Sequence, residues 1–108
     1  MSKIYAISST GKTEKSFLDL RFGKCENLVI YDSGTNRFNI MENPYRTTDE
    51  SGSELVKFLK KEGVSVIITG EIGPEVSQML EKERLQLVLL FEEKIKIEDI
   101  INRINKKA

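Results

Sequence analysis

Residues 64 to 69 read Val-Ser-Val-Ile-Ile-Thr, a nearly continuous β-branched run. A strand with so little polar alternation has no face to offer water, so helices must cover it on both sides, as in layered α/β domains. The run is therefore predicted as the central strand of a sheet, and its flanks should supply the cover. Upstream, Leu55, Phe58 and Leu59 follow helical spacing behind a Ser51-x-x-Glu54 capping box, and Gly63 supplies the stop. Downstream, Gly73-Pro74 opens a second helix, with Pro74 suited to the first helical position and Val76, Met79 and Leu80 as its apolar stripe. Leu85 to Leu90 reads as another buried strand. Ile97, Ile100, Ile101 and Ile104 then repeat at helical spacing, while Glu98, Asp99, Asn102 and Arg103 fill the opposite face of a closing helix.

The N-terminal half has the other period. An apolar run follows Met1-Ser2-Lys3, and Leu28-Val29-Ile30-Tyr31 and Arg37 to Met41 flank Asp32-Ser33-Gly34-Thr35-Asn36, the pattern of an antiparallel hairpin. Phe38 and Ile40 alternate with Arg37 and Asn39, which suits an edge strand with one wetter face. The expected order is strand, strand, strand, helix, strand, helix, strand, helix, giving a mixed sheet between helices. Ser8 to Leu20 and Glu42 to Glu50 lack clear periodicity and are the candidate functional loops.

Composition narrows the function. At 108 residues the chain is expected to be one domain spanning 1–108. Lys plus Arg number 17 and Asp plus Glu 17, so there is no positive surplus to recruit a phosphate backbone, and no nucleic-acid partner is expected. With no apolar signal core and no stretch able to span a bilayer, no membrane partner is expected and the cytoplasm is the default compartment. The lone Cys25 forms no internal disulfide, which fits a reducing compartment. The chain contains no histidine, which removes Ser-His and Cys-His nucleophilic catalysis.

Read in order, Ser16-x-x-Asp19-x-x-Phe22-Gly23, Glu42-Asn43-Pro44, Ser51-Gly52-Ser53 and Gly70-Glu71-Ile72-Gly73-Pro74 form a series that resembles the dinitrogenase iron-molybdenum cofactor biosynthesis family. The resemblance covers nearly the whole chain. It implies a ribonuclease H-like fold: three α/β/α layers around a five-stranded mixed sheet of order 32145, with strand 2 antiparallel. Family members include small carriers of the iron-molybdenum cofactor or its precursors, and domains attached to the enzyme that builds the precursor cluster. This chain departs from many relatives in having Arg21 where they have a His before Phe-Gly, Ser51 and Ser53 where they start a helix with Gly, and Arg84-Leu85 where they have Gly-Ile.

The candidate site residues each have two readings. Cys25 is either a soft ligand for an iron-sulfur or iron-molybdenum cluster or a small buried strand residue. Arg21 and Lys24 either attract an anionic cluster and lower the thiol pKa or belong to a solvated edge. Ser51, Gly52 and Ser53 offer backbone N–H groups to an anion, or only cap the helix. Gly70 to Pro74 lies where an open α/β sheet faces its ligand crevice, or is simply a tight turn. Asp19, Asp32, Glu42 and Asp49 are weighed as a two-metal nuclease cluster against ordinary turn roles. The resulting expectation is a non-enzymatic binding or carrier protein, with a crevice between Ser8–Cys25 and Glu42–Ser53. Its partners would be a metal cluster or a cluster-assembly protein, and it would act as a monomer or homodimer. The alternatives are a metal-free interaction or regulatory module on the same fold and a metal-dependent nuclease.

Overall fold

The computed structural model describes residues 3–92 and 94–106, so the opening Met1-Ser2 lies outside the described residues. The chain runs β1 (Ile4–Ser9), β2 (Asn27–Asp32), β3 (Arg37–Glu42), α1 (Ser51–Lys61), β4 (Val66–Thr69), α2 (Pro74–Lys82), β5 (Gln86–Leu89) and α3 (Ile97–Lys106). The strands form one five-stranded sheet in the order β3-β2-β1-β4-β5. β2 is antiparallel to both β1 and β3, whereas β4 is parallel to both β1 and β5. This is the mixed 32145 sheet expected from the resemblance.

Alternation along the strands divides the core into two clusters. Ala6, Leu28 and Ile67 point to one face and are covered by Leu55, Val56 and Leu59 of α1 and Leu80 of α2. Ile7, Val29, Tyr31, Val66 and Ile68 point to the other, where Ile97, Ile100 and Ile101 of α3 cover them. The sheet therefore lies between two helices and one, a three-layer arrangement. Among the described residues no helix is long and apolar enough to cross a membrane.

Three expectations need correction. β4 is dry on both faces, as its β-branched run requires, but β1 occupies the middle of the sheet because it joins the antiparallel half to the parallel half. β5 is not a buried strand: Gln86 and Leu89 are exposed and Leu87 and Val88 half-buried, since β5 is the edge of the sheet and neither helix layer covers it fully. The capping box does not form. Glu50 takes the N-cap position without a side-chain cap bond, and Ser51 lies inside the first turn, buried where that turn docks on Gly23.

Both helices on the first face end in the same motif. Val64 N donates to Leu59 O at 3.1 Å and Gly63 N to Lys60 O at 3.2 Å, with Gly63 at φ +84°. Leu85 N donates to Leu80 O at 2.9 Å and Arg84 N to Glu81 O at 3.1 Å, so Arg84 takes the glycine role at φ 59°. The helix stop survives the loss of glycine, but an L side chain in this region costs roughly 1–2 kcal/mol, partly offset by the lower unfolded-state entropy of a non-glycine residue. Arg84→Gly should therefore raise unfolding stability by about 0.5–1 kcal/mol, and Gly63→Ala should lower it by about 1 kcal/mol. Urea denaturation of both variants at constant m-value measures the difference.

Candidate cleft at the strand ends

β1, β3 and β4 all end at one rim of the sheet, so the segments that follow them meet there. The segment after β1 is tied down along its length. Asp19 N donates to Ser8 O at 2.9 Å, Leu18 N to Ile95 O at 2.9 Å and Glu71 N to Leu20 O at 2.7 Å. Below it, the buried Ser8 hydroxyl donates to Asp19 O at 2.6 Å and is hydrogen-bonded to Thr69 Oγ1 at 2.8 Å. Ser8 and Ser9 are thus buried strand residues rather than part of a loop.

The second irregular segment joins the first through Asn43. Its Nδ2 donates to Gly23 O at 2.9 Å and Cys25 O at 3.0 Å, while Lys24 Nζ donates to Thr48 O at 2.6 Å. Two glycines set how closely these pieces pack. A Cβ on Gly70 would lie 2.6 Å from Leu20 Cα, and one on Gly23 would lie 2.7 Å from Gly52 N. Each contact is backbone against backbone and leaves no space for a side chain.

A cleft of about 370 Å³ remains, with Arg21 to Lys24 on one wall and Glu71 to Gly73 with Val76 on the other. The second wall is therefore the β4–α2 turn and not the Glu42–Ser53 segment, because Gly23 closes down on the start of α1. Of the expected site residues, Arg21 and Lys24 line the cleft. Ser51 is buried, Gly52 packs against Val76, and Ser53 Oγ lies 3.4 Å from Glu75 Oε1. The helix start that reaches the cleft belongs to α2: Gly73 is its extended N-cap with no side-chain cap bond, and Pro74 carries no N–H. Glu71, Ile72, Gly73 and Val76 were findable from the Gly70–Pro74 turn at the end of a buried strand, the position where open α/β sheets bind ligands.

The charges here are partly spent. Asp19, 5% exposed, accepts from Arg21 N at 3.0 Å and from Arg21 Nε and a terminal guanidinium nitrogen at 3.3 Å. This pairing pushes the guanidinium pKa up. Glu71 adds a carboxylate to the opposite wall, so any attraction for an anion is local rather than the field of a basic patch.

Cys25 lies in the core with Phe22, Leu28 and Leu55. Burial, followed by the nearby Asp19 charge, pushes its thiol from an ordinary 9.0 up to about 12, and the Asn43 amide 3.7 Å from Sγ offsets only part of this. The group is a neutral core thiol in this conformation, whereas ligation needs the thiolate. Among the described residues no three His, Cys, Asp or Glu side chains gather as a metal site. Asp32 closes the hairpin at the opposite end of β1 from Asp19, accepting from Gly34 N at 2.8 Å, so the weighed carboxylate cluster does not assemble.

A 32145 mixed sheet with a cleft beyond its parallel strand ends, beside an uncapped helix start, defines a three-layer α/β domain with an open rim. Residues 3–107 match the family described as dinitrogenase iron-molybdenum cofactor, and the chain belongs to that family. Its fold is similar to the apo orange protein of Desulfovibrio gigas, with TM-score 0.86, 22% identity, and 97% of this chain and 88% of that one covered. It is also similar to a NifB-like protein from Thermotoga, with TM-score 0.80, 23% identity, and 96% and 88% covered. No curated protein matches the chain in sequence.

The burial of Cys25 has a pH signature. The unfolded chain ionises this thiol near 9.0 and the folded chain only near about 12, so between these values the unfolded state holds fewer protons. The stabilisation is complete below the lower value and is lost as pH rises through the interval, by up to about 1.4 kcal/mol per pH unit. Urea denaturation at a series of alkaline pH values should show this slope in the parent protein and not in Cys25→Ala.

Proposed function

We propose that this chain binds and carries an anionic metal-sulfur cluster in the cleft between Arg21–Lys24 and Glu71–Val76, as cargo and without turnover. The observation that carries the reading is a cleft whose wall includes Arg21 and Lys24 and which opens beside the uncapped start of α2. Family membership supports the cargo class. A cluster held wholly by protein takes four ligands, and this chain has one cysteine and no histidine. The cargo on this reading brings its own sulfurs and is held by charge and backbone N–H groups. Ligation by Cys25, or donation from Ser51 to Ser53, requires the Arg21–Cys25 segment to lift off α1. The partner is then a cluster-assembly protein that supplies or accepts the cargo, and the site of action is the cytoplasm.

Anaerobic titration with tetrathiomolybdate, a small molybdenum-sulfur dianion, followed by amide NMR tests the reading. The amides of Arg21 to Lys24 and Glu71 to Val76 should shift saturably. Arg21→Glu and Lys24→Glu should each weaken binding about tenfold, equivalent to about 1.4 kcal/mol, and Glu71→Gln should strengthen it a few-fold. Cys25→Ala should leave the affinity unchanged. Loss of binding in Cys25→Ala alone, or shifts confined to other parts of the chain, would refute the proposed cleft.

A further inference from the structure

On the α3 face the sheet is wider than its cover. α3 packs over Ile7, Val29 and Ile68, and a groove of about 650 Å³ lies between α3 and the β4–β5 edge of the sheet, a volume within the range of small-molecule sites. Val66 and Ile68 form its floor, with Tyr5, Val88, Leu90 and Ile104 on its sides. The floor residues are only 2% and 3% exposed while the sides are half-buried, so most of the accessible apolar surface is on the sides. The volume suits a methylene chain or a small ring.

The groove has a polar end. Lys3, Ser33, Gln86 and Lys106 lie where β1 and β5 begin and α3 finishes, at the opposite rim from the strand-end cleft. Lys3 Nζ is 3.4 Å from Gln86 Oε1, and farther along Arg103 pairs bidentately with Glu92 at 2.6 and 3.0 Å. Every described charged side chain lining the groove is a cation, in a chain whose 17 basic and 17 acidic residues balance. The carbonyl end of α3 carries partial negative charge, so an anionic head would be held by Lys3 and Lys106 rather than by backbone.

We propose that this groove binds an anionic amphiphile, a slender apolar body ending in a carboxylate or similar head, with the head at Lys3 and Lys106 and the body along Val66, Ile68 and Val88. The site is separate from the cluster cleft and does not depend on it. Octanoate titration followed by amide NMR is the test, with 1-octanol as the neutral control. Octanoate should saturably shift Val66, Val88 and Ile104 and leave Arg21 to Lys24 unmoved. The exposed double substitution Lys3→Glu/Lys106→Glu should weaken octanoate about tenfold and octanol little, and Val88→Glu should abolish both. The proposal is overturned if no saturable shift occurs, or if the double variant binds octanoate as the parent does. It is also overturned if dilution alone moves the same amides, which would make the groove a contact between two copies of the chain.

Discussion

β1 is hydrogen-bonded on both edges, antiparallel to β2 and parallel to β4, and everything else in the fold is positioned from it. Its side chains divide between the two cores, Ala6 to one and Ile7 to the other, so a register slip of one residue would exchange the faces of the whole strand. Its last residues anchor the strand-end rim. Ser8 at the end of β1 bonds both to the segment that folds back over the rim and to Thr69 at the end of β4. The same strand that organises the core thereby anchors the segment that leads to Arg21.

Close backbone packing then decides which part of the rim stays open. Gly70 lets Leu20 lie on the end of β4, and Gly23 lets the returning segment sit on the first turn of α1. The second contact covers the start of α1 and leaves the start of α2 beside the cleft. A side chain at either glycine would force these layers apart, since the nearest atoms include backbone that cannot swing away.

The sheet was legible where the pattern is set by local burial. Leu28 to Met41 read as a hairpin because its turn residues and alternation agree, and Asp32 does accept from Gly34 N as a turn aspartate should. The 64–69 run announced a dry strand, yet dryness does not distinguish the middle strand from its neighbour. Leu85 to Leu90 misled for the converse reason: apolar character describes what a strand tolerates, and cover depends on where a helix happens to cross. Ser51 misled because Glu54 completes a capping pattern that tertiary docking on Gly23 overrides. The cleft was partly legible: Arg21 and Lys24 line it, its second wall comes from the β4–α2 turn instead of the expected loop, and of the two readings of Cys25 the buried one describes its place in the core.

The electrostatics of the cleft bear on what a carrier needs. Arg21 is shared with a buried Asp19, Lys24 with the Thr48 carbonyl, and Glu71 stands opposite. Each of these contacts competes with an incoming anion, so part of the Coulomb gain on binding is given up in breaking them. In an enzyme or a permanent cofactor site such competition would be a loss. On the proposed carrier reading it would keep the bound state close in energy to the released one, because Asp19 and Thr48 could take the cations back as the anion leaves. On the same reading the buried, protonated thiol of Cys25 presents no thiolate in this conformation, and the cargo would be held by charge rather than by this side chain.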